Sequence, residues 1–378
     1  MFEELSHFAL QQYWWVIVSL LGALLVFLMF VQGGQTLIYT IGKTDMQRTM
    51  LVNTLGRKWE FTFTTLVTFG GAFFASFPLF YSTSFGGAYW VWMAILFAFV
   101  LQAVAYEFRS RPNNAFGART FEIFLFINGL LGTILIGTAV ATFFTGSAFS
   151  VNDMNQSQWE LKSHGLEAAL NLHNLSLGLA VFFLARVLGL LYFMNSVDSE
   201  EIYVRSKKHL IINSIPFLIF FLTFVIWLML RDGFAVDPNT QEVMMESFKY
   251  FNNFIAMPVV LILFLLGVVG VLLGIGGSLF REDCTKGIWA AGVGTVLTVF
   301  SLFLVAGFNN TAFYPSTFDL QSSLTIQNAS SSQFTLMVMS YVSLMVPFVF
   351  GYIWYVWKAM NNKPIDEDEM QSDDVHVY

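Results

Sequence analysis

The feature that most constrains this chain is a series of nine apolar segments, each close to the length that crosses a bilayer as a helix. Bilayer hydrocarbon needs about 17 to 25 residues of helix. Because lipid offers no partner for an unpaired N–H or C=O group, each segment must be helical. The short alternating segments of a membrane β-barrel are not seen in the sequence. The approximate cores of the nine segments are 13–30, 61–79, 90–104, 121–144, 175–193, 210–230, 254–273, 288–306 and 336–356.

Composition supports the same interpretation. The chain has 378 residues, of which 56% are hydrophobic and 11% are charged. A soluble domain carries about 25% charged residues, so a chain this apolar needs lipid to solvate much of its surface. The sequence therefore predicts an all-α integral membrane protein with about nine transmembrane helices.

The distribution of cations predicts the orientation of the chain. Of the eighteen Lys and Arg residues, fourteen fall in alternate loops. Lys162, Arg231 and Lys249 fall in the opposite set, and Arg186 lies within a span. Cytoplasmic loops of membrane proteins are enriched in Lys and Arg, so we expect the N-terminus outside and the C-terminus inside. Topology explains these scattered cations better than nucleic-acid binding does.

We expect one polytopic membrane domain over residues 1–358. Its halves would be 1–145 and 175–358, arranged as two four-helix bundles plus one extra helix. Residues 359–378 carry the acidic run 366–369 together with Asp373 and Asp374. Such a run is typical of a solvated, disordered tail, and the predicted orientation places it on the cytoplasmic side.

Carboxylates at membrane depth are costly and are therefore candidates for function. Glu60 opens the second predicted helix, Glu107 closes the third and Glu122 opens the fourth, all at the cytoplasmic ends. The second and third helices are antiparallel neighbours if the turn near 81–87 is short, which would place Glu60 and Glu107 at similar depth in a partly dry setting. They could then share or relay a proton, and Arg111 could pair with Glu107. A structural alternative is that Glu60 and Glu122 complement helix dipoles.

Other polar groups near the membrane leave alternatives open. Gln32 and Gln35 end the first helix on the cytoplasmic side, where they either hydrogen-bond across helices and order water or cap the helix at the interface. Arg186 is the only cation inside a span and is expected to face the bundle or a partner rather than lipid. It would make a structural ion pair or carbonyl contact, or else contact a lipid or quinone headgroup.

The histidines predict that this chain binds no haem and no metal. A transmembrane haem usually needs an axial His or Met at depth, whereas every histidine of this chain lies in a tail, a loop or a helix end. No metal-ligand cluster, phosphate-binding loop or nucleophile triad is present in the sequence. The histidines are His7, His164, His173, His209 and His376.

Several motifs together resemble subunit II of the cytochrome bd-type quinol oxidases. Residues 48–60 (RTMLVNTLGRKWE) resemble the segment that leads into the second helix of that family. Residues 70–81 (GGAFFASFPLFY), 84–87 (SFGG) and 106–111 (YEFRSR) match the same subunit in the same order. The clear match covers roughly 48–111, and the rest of the chain matches in length, span count and loop pattern.

This resemblance implies a function for the chain. Subunit II of the family is the haem-free partner of a haem-bearing subunit I, which carries two b-type haems, a haem d or third b-type haem, and the quinol site. The complex of the bacterial inner membrane oxidises quinol and reduces oxygen to water, and it builds a proton gradient by taking its chemical protons from the cytoplasm. A small single-helix subunit and a structural quinone or lipid can accompany it.

The resemblance also implies site residues. The family's proposed proton path in subunit II matches Glu60, Glu107 and Arg111, with Trp59 as the neighbouring tryptophan. This sequence departs from the family at three supporting positions. Gln32 and Gln35 stand where the family has acids, and Gln102 stands where it has an arginine. Proton entry in this chain is therefore expected to differ in detail.

Two other functions remain open from the residues alone. A secondary transporter of the inner membrane would use broken helices and a polar site at mid-membrane. Charge at that depth is limited to Arg186, which disfavours a transporter. The third alternative is a purely structural membrane subunit.

Overall fold

The first half of the computed structural model is built from four membrane-crossing helical segments that run back and forth, some of them interrupted. The structure describes residues 2–281, 284–371 and 378. Interruptions inside a span are tolerated where neighbouring helices satisfy the freed backbone groups. The helices are α1 (His7–Leu28), α2 (Phe30–Gln35), α3 (Ile38–Ile41), α4 (Asp45–Gly56), α5 (Trp59–Ser76), α6 (Pro78–Phe80) with the π-helical turn Tyr81–Gly87, α7 (Tyr89–Phe108), α8 (Ala118–Ile127) with the π-helical turn Asn128–Gly132, and α9 (Thr133–Thr145).

The second half has longer and more regular helices. Pro216 lies inside α11 without ending it, whereas Pro258 starts a new helix after α12. The helices are α10 (Leu172–Ser196), α11 (Glu200–Leu230), α12 (Lys249–Ala256), α13 (Pro258–Phe280), α14 (Gly287–Gly307), α15 (Gln333–Ser343), α16 (Val346–Met360) and α17 (Glu367–Gln371).

The expectation of an all-α membrane protein with about nine spans is confirmed. Among the described residues, eight helical segments are long and apolar enough to cross a membrane unbroken. A ninth span is bent by 119° between Asp45–Ser76 and Pro78–Gly87. The bend falls at Pro78, which has no N–H to continue the helix. The helix ends that carry most of the cations lie together, and we call this the basic end of the bundle.

At the opposite end, the long polar loops fold into a small cap. Strands β1 (Phe149–Val151) and β2 (Ser157–Trp159) form one antiparallel hairpin. Strands β3 (Gly233–Val236) and β4 (Val243–Glu246) form another. The loop after α14 joins both, because Ser316 bridges to the first hairpin region and Thr311 to the second. These loops thus have a defined fold that their polar composition does not show.

Helix α10 is the centre of the molecule, since it packs against α2, α9, α11 and α14. Glycines allow the closest approaches: a Cβ on Gly33 would lie 2.0 Å from the backbone of Ala185. Helices α13 and α14 also approach each other closely, since a Cβ on Gly274 would lie 2.6 Å from Ala291 N. Helices of both halves therefore pack on α10.

The end of the chain is more ordered than a solvated tail. Ile365 is buried, its N–H donates to Ser196 O at 3.0 Å, and its carbonyl accepts from Asp198 N at 2.8 Å. Glu369 of α17 forms an ion pair with Arg57. The prediction of a disordered tail is therefore wrong for residues 363–371, because buried apolar residues of this segment hold the acidic run against the bundle. Asp373 and Asp374 lie outside the described residues.

Candidate functional site

The two predicted proton-path acids lie at the basic end, near the start of α5 and the end of α7. Glu107 pairs with Arg111, as predicted from their spacing. Both side chains are open to solvent in the isolated chain, with 54% and 59% exposure. Glu60 is exposed as well. The partly dry setting expected for these carboxylates is therefore not provided by this chain alone.

Aromatic stacking connects the two helices just behind these acids. The ring of Trp59 on α5 stacks on that of Tyr106 on α7, with centroids 5.8 Å apart. The amide of Gln35 donates to the Tyr106 hydroxyl at 3.0 Å. Gln35 thus hydrogen-bonds across helices, one of the two roles expected for it. Tyr106 joins the supporting residues, although the sequence analysis did not name it as one. Its position next to Glu107 was the only signal in the sequence that could have identified it.

Deeper in the bundle lies a group of buried amide side chains with unused hydrogen-bonding atoms. Within the described part of the chain, both amide atoms of Gln32, Gln102 and Asn128 lack a partner, as does Oε1 of Gln35. The π-helical turn that begins at Asn128 packs on α2, which carries Gln32 and Gln35, and on α7, which carries Gln102; we call these four side chains the amide cluster. Because buried polar groups are normally hydrogen-bonded to protein or water, this amide cluster calls for internal water. Asn128 was missed, although it is the only amide in the fourth apolar segment.

Glu122 forms a buried ion pair. Its Oε1 accepts from Arg109 Nη2 at 2.8 Å and from Arg109 Nε at 3.1 Å, and its Oε2 accepts from the Tyr39 hydroxyl at 2.5 Å. Partial burial and this hydrogen bond raise the pKa of Tyr39 to about 12. The side chains of Arg109 and Glu122 are only 8% and 4% exposed. Glu122 is therefore a structural anchor between the ends of α7 and α8 rather than only a dipole partner.

Tyr378 lies over the same region. Its carbonyl oxygen accepts from Arg109 Nη1 at 2.9 Å, and its ring meets Tyr106 at 5.7 Å. Burial and the nearby carboxylates of Glu60 and Glu107 raise the pKa of the Tyr378 hydroxyl. Both predicted acids thus act on Tyr378, whose ring contacts Tyr106, the partner of Gln35.

Arg186 lies apart from these acids and has only neutral partners. Its Nε donates to Asn213 Oδ1 at 2.6 Å and its Nη1 donates to Thr36 Oγ1 at 3.2 Å. Its guanidinium carbon lies 5.4 Å from the ring centroid of Phe182. It faces neighbouring helices as expected, but the described residues give it no ion pair.

Three of the described histidines have a ring nitrogen within hydrogen-bond distance of a backbone carbonyl. For His7, His164 and His173 this distance is 3.0–3.1 Å. His173, the buried one, has its second nitrogen 3.3 Å from Arg231. The described residues contain no group of three or more His, Cys, Asp or Glu side chains that could hold a metal ion. His376 lies outside the described residues.

Comparison with known proteins agrees with this architecture. Residues 10–360 match the family model described as cytochrome bd terminal oxidase subunit II. The chain is 27% identical to the cytochrome bd-I ubiquinol oxidase subunit 2 of Escherichia coli K12, over 97% of each chain. It is 26% identical to the cytochrome bd ubiquinol oxidase subunit 2 of Bacillus subtilis, over 93% of this chain and 96% of the relative.

A solved structure shares the fold. The bd oxidase from Geobacillus thermodenitrificans matches with a TM-score of 0.63 at 13% sequence identity, covering 93% of this chain and 98% of the other. Fold and comparisons together define a multi-pass subunit of a bacterial terminal oxidase in the inner membrane. The chain belongs to the cytochrome bd terminal oxidase subunit II family.

Membership confirms the resemblance seen in the sequence, and with it the function as part of an oxidoreductase. The chain works in a complex that contains haem and at least one other oxidase subunit. The alternative of a secondary transporter is not favoured by any of these relatives.

Proposed function

We propose that this chain is the haem-free partner of a haem-bearing subunit I in a quinol oxidase, and that it supplies part of the proton-uptake route from the cytoplasm. The family match over residues 10–360 carries the proposal. The names of relatives as ubiquinol oxidase subunits support quinol as the substrate. The use of histidine nitrogens in internal hydrogen bonds supports placing the two b-type haems, and the haem d or third b-type haem, in subunit I.

An uncovered apolar face supports a large membrane partner. Helices α7, α5 and α16 lie side by side, since Trp59 stacks on Tyr106 and Phe61 meets Trp357 with ring centroids 5.8 Å apart. Large apolar side chains on these helices are exposed, and such patches are typical of interaction sites. Subunit I would cover this docking face, with a small single-helix subunit as a further partner. The exposed side chains are Val67, Phe74, Leu96, Phe97, Val100, Phe348, Tyr352 and Tyr355.

Covering this face would also change the setting of the acids. Glu60 and Glu107 lie at the basic end of α5 and α7, the helices that the partner would contact. In the complex they would be held between two subunits, where a carboxylate can accept a proton and pass it on. Arg111 would hold the Glu107 side chain in one place and favour its ionised form, ready to accept the next proton.

The amide cluster offers a continuation toward the membrane interior. Protons would pass from the carboxylates to water that is hydrogen-bonded to Gln35, Gln102, Gln32 and Asn128. Amides do not ionise, so they would order the water while the water carries the proton. The route in this chain would thus use acids only at the entrance.

Neutral substitution of the entrance acid tests the proton role. We expect Glu107→Gln, assayed in the purified complex, to lower the rate of oxygen reduction by about 100-fold, the lower end of the range typical for loss of a proton-transfer group. The haem content, read from the absorption spectrum, should stay normal. Glu201→Gln is the matched control, because Glu201 also pairs with an arginine one turn away at the basic end. Equal oxygen-reduction rates in the wild-type, Glu107→Gln and Glu201→Gln complexes would remove Glu107 from the mechanism.

A further inference from the structure

Arg109, which is buried, and Arg186, which is partly buried, differ in how their charge is balanced. Arg109 has the carboxylate of Glu122. Arg186 has an amide, a hydroxyl and an aromatic ring, and within the described residues it has no carboxylate at ion-pair distance and no hydrogen-bond partner for Nη2. Burying a charge without a counter-charge is costly. An anion from outside the chain would remove that cost.

Two lysines lie near Arg186, one on α11 and one just after α3. Asn213, which binds Arg186, also donates to His209 O at 2.8 Å one turn earlier on α11. His209 lies within electrostatic reach of Arg186, Lys208 and Lys43. Lys43 follows α3, and α3 packs on α11. Arg186, Lys208 and Lys43 are thus grouped around His209 between α3, α10 and α11, and we call these three residues the cationic cluster.

An apolar stripe runs into the membrane from this cluster. Lys208 is exposed, and Ile212, Ile215 and Ile219 follow it at helical spacing on the same face of α11. All three isoleucines are exposed. A cationic group at the basic end, followed toward the membrane by an exposed apolar stripe, matches the parts of an anionic phospholipid. The headgroup would meet the cations, and the acyl chain would meet the stripe. Basic pockets between transmembrane helices bind anionic lipid headgroups in other proteins.

We propose that the cationic cluster binds the phosphate of an anionic phospholipid, whose acyl chain lies along the isoleucine stripe of α11. The free N–H groups of Arg186 Nη2 and the ammonium of Lys208 would donate to the phosphate oxygens. An anionic headgroup balances the charge of Arg186, which a neutral quinone ring would not. This inference does not depend on the proton route.

A lipid-binding measurement on the purified complex tests this site. The complex would be placed in phosphatidylcholine nanodiscs and titrated with spin-labelled phosphatidylglycerol. We expect Lys43→Gln combined with Lys208→Gln to weaken binding about 25-fold, since each cation near a membrane surface contributes about fivefold. Arg186→Gln should weaken it further. If that variant does not assemble, the lysine pair decides, because Lys208 is exposed.

The control removes the same charge elsewhere at the basic end. Lys207→Gln combined with Lys286→Gln should leave binding unchanged, because Lys207 contacts Arg281 O on another side of α11. An equal loss in both double variants, or a loss in neither, would overturn the proposal. So would displacement of the label by millimolar inorganic phosphate, which would indicate a free-anion site. Co-purification of a quinone that is lost in Arg186→Gln would overturn it too.

Discussion

At the scale of single residues, two ion pairs of the same chemistry do different things. Glu107 and Arg111 pair in the open, where such a pair contributes about 0–1 kcal/mol. Arg109 and Glu122 pair in the interior with Tyr39 as a third member. A buried pair resists the loss of one partner, because the remaining charge stays desolvated. The exposed pair is thus free for function, and the buried one holds two helix ends together.

Removing the carboxylate of the buried pair should destabilise the complex. We expect Glu122→Ala to cost about 3–5 kcal/mol, since it leaves Arg109 buried and unpaired. The melting temperature of the purified complex, followed by tryptophan fluorescence, measures this loss. Glu201→Ala, which opens the exposed pair with Arg205, should change the melting temperature little. Similar melting temperatures for the two variants would contradict a special role for Glu122.

Sequence reasoning placed these residues only in part. The spacing of Glu107 and Arg111 predicts their pairing, because one helical turn separates them. The partners of Glu122 could not be found in this way. Arg109 is separated from it by a loop, and Tyr39 lies on a short helix that is not part of any predicted apolar segment. Contacts between distant segments depend on how the helices pack, which local spacing does not contain.

At the scale of helices, hydrophobic length predicted every span but not the interruptions. The segment at 61–79 became a bent span, and the one at 254–273 was split at Pro258. Pro216 shows why such breaks are hard to predict, since the same residue type is accommodated within α11. Whether a proline ends a helix depends on what its neighbours offer the freed carbonyl group.

Close contact between α13 and α14 gives a prediction at this scale. A Cβ at Gly274 would lie 2.6 Å from two backbone atoms of α14. Gly274→Val should therefore force the helices apart and cost about 1–3 kcal/mol, visible as a lower melting temperature and yield. Gly276→Val, on the same helix, is the control, because the nearest atom to a Cβ there is Phe280 Cδ2 at 3.9 Å. Equal effects of the two substitutions would contradict the close-contact explanation.

At the scale of the whole molecule, the placement of cations still predicts orientation. The alternation of basic and polar loops survives in the structure as a basic end and a cap of two hairpins. Basic loops are retained in the cytoplasm during insertion, so the cap should face the periplasm. The entrance acids would then face the side from which protons are taken up.

Thiol labelling in intact cells measures this orientation. In a Cys284→Ala background, Asp153→Cys in the cap should react with an impermeant maleimide. Ala115→Cys, in the exposed loop between α7 and α8, should react only after the cells are opened. The reverse labelling pattern would show that the chain has the opposite orientation. Glu60 and Glu107 would then have no access to cytoplasmic protons.

The backbone hydrogen bonds of Ile365 determine how helix α16 is held in place. Helix α16 has no buried residue, so side-by-side packing does little to fix its tilt. Beyond it, the backbone bonds of Ile365 to Ser196 and Asp198 tie the chain to the turn between α10 and α11. Helix α16 is therefore held mainly at its end, whereas α15, the first half of the same span, packs on α1. Fusing a bulky reporter after Met360 should break the backbone hydrogen bonds of Ile365. Variants truncated after Met360 should for the same reason bind the neighbouring subunit less tightly.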